Sequence, residues 1–427
     1  MTKNRSTNTQ SSSVRPHVAE SSLSEAQFKV AVTVDTLKMG DFQARWEASK
    51  LLAKSGAVAI EPLLVILEEE DSDWELLWFV ARILGNIAHP AAVSALVNLL
   101  ATATHEDVAG MAATALAHHG TTAIAPLTTL LQQEATRLFA VKALAQIRHP
   151  EAISPLLTLV SDPDPAIRAA AIEALSHFHT PAVSTVLLPA LADLTTSVRK
   201  AAVIGLGIQA AHMDTPELGQ LTQHLQERLR DFNLDVCCQA AIALGRIGTN
   251  QAADALFEVL QSPHTPVALQ LEAVRALSRI DTPHALESLH FLIKHSVSAS
   301  AQLATLLTSD VQQEILAVLG RTESPKTQEQ ATQILLDLLH RSGQVLTLKH
   351  KQTIALSLGQ LGQPIAIDAL IHLLADSSAS VRFHAIAALK QLDWQQSYQR
   401  LHEYADRFDL DESFKQGLTI AIQEWMN

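Results

Sequence analysis

One short pattern returns at nearly even intervals along this chain, and it limits what the chain can fold into. It reads Ala59-Ile60-Glu61-Pro62-Leu63-Leu64, then Ala92-Val93-Ser94-Ala95-Leu96-Val97, Ala123-Ile124-Ala125-Pro126-Leu127-Thr128 and Ala152-Ile153-Ser154-Pro155-Leu156-Leu157, at spacings of 33, 31 and 29 residues. Ala366-Ile367-Asp368-Ala369-Leu370-Ile371 repeats it much later. A second pattern runs in step with the first: Ala166-Ile167-Arg168-Ala169-Ala170-Ala171, Ser197-Val198-Arg199-Lys200-Ala201-Ala202 and Ser380-Val381-Arg382-Phe383-His384-Ala385. A period near 31 residues is the signature of a solenoid, in which each repeat is one supersecondary unit stacked on its neighbours. Length agrees, because a single core stops growing at roughly 250–300 residues and this chain has 427.

Each repeat reads as two helices. Apolar residues at helical spacing mark a first helix, as in Val236–Gly245, and a second, as in Ala252–Leu260. Pro62, Pro126 and Pro155 fall in the first turn of second helices, where a missing N–H costs little. No alternating run of β-branched and aromatic residues argues for strands. The composition is 48% hydrophobic and only 4% aromatic, which suits closely packed helices. The pattern gives an all-α solenoid of about eleven repeats, at 41–70, 71–103, 104–133, 134–163, 164–194, 195–231, 232–263, 264–295, 296–343, 344–377 and 378–427. Two are irregular. Repeat 195–231 carries an insertion around Ala210–Thr215. Repeat 296–343 is long and weakly patterned, with Thr322–Lys326 as a loop, and is expected to break the stacking or change its curvature. Residues 1–23 are too polar to bury apolar area against their ordering entropy. They are expected to form a disordered tail, with the solenoid spanning 24–427 and Ser24 capping its first helix.

The paired helices, the period, the early prolines and a D/S-x-x-V/I-R-x-x-A opening of the first helix resemble HEAT repeats. That opening reads Asp164-Pro165-Ala166-Ile167-Arg168-Ala169-Ala170-Ala171 and Thr196-Ser197-Val198-Arg199-Lys200-Ala201-Ala202. The resemblance covers about nine-tenths of the chain and implies a right-handed α-solenoid. The short repeats with Ala-rich first helices are most similar to the HEAT-like repeats of the cyanobacterial phycobilin lyase group. That likeness implies two alternatives: a bilin lyase-like or phycobilisome-associated chromophore-handling factor, and a metal-linked scaffold for iron–sulfur assembly. One HEAT-repeat enzyme, deoxyhypusine hydroxylase, holds two irons with four His-Glu pairs. This chain offers His105-Glu106 and His402-Glu403, half the set.

The residues themselves point to a non-enzymatic scaffold or adaptor that presents a concave helical surface to a protein partner. There is no GxxxxGK[ST], no GxGxxG after a strand and no GxSxG, and no cofactor is expected. The formal net charge is −13. Residues 1–40 carry five basic and three acidic side chains, which leaves 26 basic and 41 acidic for the rest. Such a body repels a phosphate backbone, so nucleic acid is not expected as a ligand; a protein with a basic or amphipathic segment is. No stretch is long and apolar enough for membrane insertion. The two cysteines, Cys237 and Cys238, are adjacent and cannot build a disulfide framework. A cytoplasmic location follows from these readings.

Three groups are candidates for function. His89, His119, His149 and His179 recur at a spacing of 30, each in the turn between the helices of its repeat. Packed helices lie about 8–10 Å apart, too far for equivalent histidines to share one metal at about 2.0–2.2 Å. They are expected to cap helix C-termini, and no metal site is assigned. Cys237 and Cys238 sit inside a first helix, where buried cysteine acts as a small hydrophobe. The strongest candidate is aromatic. Trp46, Trp74, Trp78 and Phe79 cluster in the first two repeats, beside Glu69, Glu70 and Asp71. Tryptophan is enriched in binding hot spots, and an acidic ring beside an apolar patch suits a basic partner. The competing expectation is that these rings cap the N-terminal end of the core, as Trp394, Tyr398, Tyr404, Phe408 and Trp425 would cap the other end.

Overall fold

A computed structural model describes residues 17–69, 72–297, 307–341, 346–407 and 410–426, and every regular element among them is helical. They fall into two compact units, divided after Phe178. The first holds a leading helix, His17–Met39, then the pairs Phe42–Ser55 with Ile60–Glu68, Trp74–Leu84 with Pro90–Thr102, Glu106–His118 with Ile124–Leu130, and Glu134–Ile147 with Ile153–Leu157, and ends on Pro165–Leu175. The second opens on Pro181–Ala190. Its pairs are Thr196–Gln209 with Thr215–Arg228, Leu234–Ile247 with Asn250–Leu260, Val267–Ile280 with Pro283–Ser296, Ser309–Leu319 with Pro325–Arg341, Leu348–Leu361 with Ile367–His372, and Ala379–Gln391 with Trp394–Ala405. Glu412–Met426 closes it. The architecture in each unit is the α-solenoid that the period predicts.

First helices stack on first helices. Trp74–Leu84, Glu106–His118, Glu134–Ile147 and Pro165–Leu175 pack in sequence in the first unit, and the run from Thr196–Gln209 to Ala379–Gln391 does so in the second. Their buried faces are small and apolar, with Ala112, Ala140, Ala171, Ala202, Ala240 and Ala273 fully buried. Glycine brings some of these helices closer still. A Cβ at Gly85 would lie 2.7 Å from the Ala115 Cβ, and one at Gly207 would lie 2.8 Å from the Ala243 Cβ.

The D/S-x-x-V/I-R opening serves two purposes. Its apolar residue, three after the N-cap, points into the core: Ile167 is 3% exposed, and Val198 and Val381 are fully buried. Its arginine turns back onto its own loop. Arg168 donates to the carbonyls of Asp162 and Pro163 at 2.8 and 3.1 Å, Arg199 to those of Asp193 and Leu194 at 3.0 and 3.1 Å, and Arg382 to those of Asp376 and Ser377 at 2.8 and 3.2 Å. The loop aspartates accept backbone N–H groups two residues on: Asp162 from Asp164, Asp193 from Thr195, Asp231 from Asn233 and Asp376 from Ser378, all at 2.8–2.9 Å. A base of one repeat then reaches the acid of the loop that leads into the next. Arg137 donates to Asp162 at 3.0 Å, Arg199 to both Asp231 oxygens at 2.7 and 2.8 Å, and Lys351 to Asp376 at 2.5 Å. Burial alone would raise the Asp231 carboxyl pKa; the bonds from Arg199 and the Asn233 N–H, with the charges of Arg199 and Arg228, outweigh it and hold the pKa below the usual carboxylate range.

Four expectations change. The leading helix starts at His17 and runs through Ser24, which is therefore not its cap. Val30, Val34 and Leu37 bury one side of it against Phe42–Ser55 and Ile60–Glu68, and packing of such a face sustains a helix past residues of low propensity. Residues 1–16 lie outside the described residues. The insertion at 210–215 is a 3₁₀ turn, Ala210–His212, followed by a capping box in which Asp214 and Glu217 each accept the other's backbone N–H. Among the described residues the stack does not break at 296–343: Ser309–Leu319 packs on both Val267–Ile280 and Leu348–Leu361. The extra length lies in the 17-residue second helix and in residues 298–306, outside the described residues. The loop expected over Thr322–Lys326 ends at Ser324, because Pro325 opens the next helix.

His350 occupies the inward position that valine or isoleucine holds elsewhere, three after the N-cap Thr347. It is 3% exposed, and neither ring nitrogen has a hydrogen-bond partner. Burial pushes its pKa below the ordinary histidine value.

Two outcomes follow. Gly207→Ala forces apart two helices that have no slack, and is expected to cost about 1–3 kcal/mol in urea unfolding. The fold favours neutral His350, so its contribution is fully present above about pH 6.5 and is lost as the pH falls from there through the lowered folded value. His350→Val is expected to raise stability by about 1–3 kcal/mol, by removing buried groups without partners, and to flatten the loss on the acid side when unfolding is followed at descending pH.

Candidate functional site

The aromatic cluster of the first repeats divides into two parts. Phe79 is fully buried, so it belongs to the core and cannot meet a partner. Trp46 is half-buried and packs against it edge-on at 6.5 Å. The Arg82 guanidinium lies 3.8 Å from the centre of the Trp46 ring, and Phe42 stacks on it at 6.2 Å. Trp78 is half-buried and meets Phe79 at 5.1 Å and 90°. Trp74 differs. It opens helix Trp74–Leu84, is 49% exposed, and lies flat on the His105 imidazole at 4.5 Å and 8°.

The N-terminal end of this core is covered by helix His17–Met39, which removes the need for the tryptophans to cap it. A polar first stretch hid the opening turns of that helix, before Ser24, in the sequence.

The acidic residues beside the rings are largely engaged. Glu69 accepts from Lys38 at 2.5 Å. Arg45, 7% exposed, donates to both oxygens of Asp73 at 2.8 and 3.0 Å and to Glu75 at 2.8 Å. That pairing holds the Asp73 carboxyl below the usual carboxylate range. Glu70 and Asp71 lie outside the described residues. Sequence reasoning passed over Arg45 and read His105 only as part of a His-Glu pair. The signal for Arg45 was present: Asp41-Phe42-Gln43-Ala44-Arg45 is the same helix opening with alanine in the inward place.

Of the four regularly spaced histidines, His89 and His149 cap helices at the end opposite to the one expected. His89, His105 and His149 are N-caps whose Nδ1 accepts the N–H of Ala91, Asp107 and Glu151 at 3.2, 3.3 and 3.4 Å. An imidazole with an unprotonated Nδ1 can serve where Ser or Asp usually does. His119 alone follows the expectation, with Nε2 at 3.1 Å from the Leu84 carbonyl of the preceding repeat. His179 meets His212 edge-to-face at 4.0 Å. Among the described residues no three His, Cys, Asp or Glu side chains are grouped to hold a metal. The Cys237 thiol is buried and donates to the Asp231 carbonyl at 3.2 Å; burial pushes both cysteine thiols above their usual pKa, away from nucleophilic chemistry. In the second unit Tyr404 is buried against Phe414, whereas Trp394 is 61% exposed and Phe408 lies outside the described residues.

No helix among the described residues is long and apolar enough to cross a membrane. The sequence profile of HEAT repeats matches residues 60–136, 124–207, 222–309 and 346–413. No curated protein matches the sequence. Yeast importin-β (Kap95p) is similar over 92% of this chain and 60% of that chain, at 14% identity and a TM-score of 0.60. Kap121p is similar over 93% of this chain and 48% of that chain, at 13% identity and a TM-score of 0.60. The chain thus spans less than two thirds of either protein, and at such identities the likeness shows the fold alone. The complex of CpcE and CpcF of phycocyanin lyase from Nostoc sp. PCC7120 matches 36% of this chain and 99% of that chain, at 25% identity and a TM-score of 0.33, an overlap that carries no argument.

Arg45→Met removes the cation that Asp73 and Glu75 share. Asp73 is half exposed, so the cost is expected at about 1–3 kcal/mol, between surface and buried pairs. It should appear as a lower urea midpoint and as earlier proteolysis within helix His17–Met39. The Asp73 share of that stability is present above the ordinary carboxylate pKa and lost as the pH falls through its lowered value.

Proposed function

This chain belongs to the HEAT-repeat family, and we propose that it is a non-enzymatic scaffold whose first repeats hold a basic, amphipathic segment of a protein partner. The observation that carries this reading is Trp74. A large ring left half exposed and immobilised on His105 loses little conformational entropy when a partner covers it, which is how aromatic anchors contribute to interfaces. Exposed carboxylates lie around it: Asp73 and Asp107 are 52% and 69% exposed. They favour a cationic segment and speed its approach. The acid excess outside residues 1–40 adds to the same preference and disfavours nucleic acid. Two free cysteines fit a reducing compartment, the cytoplasm. Trp46 and Trp78, half-buried on Phe79, add apolar surface in the same repeats.

The test is affinity capture from the native host with the wild-type chain and with Trp74→Ala, each checked for helicity. The expected result is a protein partner held by the wild type and weakened about tenfold or more by the variant, the scale of a hot-spot truncation. Equal capture by both would remove Trp74 from the interface.

A further inference from the structure

A cleft of about 670 Å³ opens in the first unit between the loops that lead into three successive first helices. Its floor includes Leu100, Phe139 and Ile167; Leu100 and Ile167 are each 3% exposed. Exposed carboxylates line it as well, from Glu106, Glu134 and Asp164. His105, the imidazole under Trp74, lies at one lip. Glu106 and Glu134 each stand at the first position of a helix, where a negative charge complements the dipole. That explains the sign of the charge at each site, but not why three exposed acids share a cleft with an apolar floor.

The balance of charge inside the cleft is unequal. Arg137 is the cation among the lining residues, and it is already engaged: Nε donates to the Leu131 carbonyl at 2.8 Å and a terminal nitrogen to Asp162 at 3.0 Å. Asp162 gives its other oxygen to the Asp164 N–H at 2.9 Å, and one Asp164 oxygen accepts from the Ala166 N–H at 2.8 Å. Glu106 and Glu134 enter no ion pair among the described residues. An apolar floor under free carboxylates matches one kind of side chain, a long aliphatic stem that ends in a cation. Phe139 adds a ring face for the same charge.

We infer that this cleft receives lysine or arginine side chains from the partner's basic segment, with their stems on Leu100, Phe139 and Ile167 and their charges among Glu106, Glu134 and Asp164. The inference rests on the reading of the first repeats as a protein-docking site and names what docks beside Trp74.

The probe is a short fluorescein-labelled peptide of alternating lysine and leucine, titrated against the full chain by fluorescence anisotropy. The same peptide with glutamate for lysine is the control ligand. Glu106→Gln/Glu134→Gln is expected to weaken binding about tenfold or more, the scale of charge-assisted contacts, and added salt should weaken the wild type toward the variant. Glu287→Gln/Glu329→Gln removes the same charge from exposed positions of the second unit and is expected to leave binding within about twofold, since distant charges are screened. The proposal is overturned if the cleft variant binds as the wild type does, if the control variant loses as much, or if the glutamate peptide binds equally. Failure here with loss of capture by Trp74→Ala would sink the cleft and leave the docking site standing. Weakened peptide binding by the cleft variant with undiminished capture by Trp74→Ala would do the reverse.

Discussion

A guanidinium shared between neighbouring repeats does much to turn a row of helix pairs into one structure. Arg199 closes its own loop through two carbonyls and then binds both oxygens of Asp231 in the loop that leads into the next repeat. Five donors in a fixed fork allow this, and a lysine could not copy it. The carboxylate end is equally committed, because Asp231 also accepts the Asn233 N–H that shapes the following loop. Each such pair therefore fixes a loop, a helix start and a repeat-to-repeat register together. In a quasi-one-dimensional array these nearest-neighbour terms set cooperativity, and a weak link lets one repeat open before the others.

The fold was legible in the sequence where one residue type does one job at a fixed offset. The inward residue of the helix opening recurs as Ile167, Val198 and Val381, and the structure buries all three. Legibility failed where a residue replaced the usual type. His89 and His149 read as C-terminal turn residues, yet they cap N-termini, because an imidazole Nδ1 two bonds from Cβ reaches the second N–H of the helix much as an aspartate oxygen does. His350 could not be read as buried from its type at all; only its register, three after Thr347, places it inward. The leading helix was expected only from Ser24, and its start at His17 was missed because propensity is local while its stability comes from Val30, Val34 and Leu37 packing on residues that follow.

The candidate site was legible in part, for a related reason. Sequence clustering put Trp46, Trp74, Trp78 and Phe79 together, and clustering cannot separate a core ring from a surface ring. Phe79 is fully buried, while Trp74, five residues earlier, is half exposed. The difference lies in the neighbour across the repeat boundary: Trp74 faces the loop that carries His105, and Phe79 faces Trp46 and Phe42. A contact made between repeats has no signature within either one.

The same distinction applies to charge. An acid excess taken from composition treats every carboxylate alike, but they divide by partner. Asp162, Asp231 and Asp376, in the loops between repeats, are buried and bound by cations, and present little field to an approaching ligand. Glu106, Glu134 and the outer oxygen of Asp164 stay outside that ladder. They lie around a cavity whose lining cation, Arg137, is already bound to Asp162 and the Leu131 carbonyl. Net charge thus says which sign of partner the chain favours. The ladder, by taking up the acids it needs, decides where on the first repeats that preference is felt.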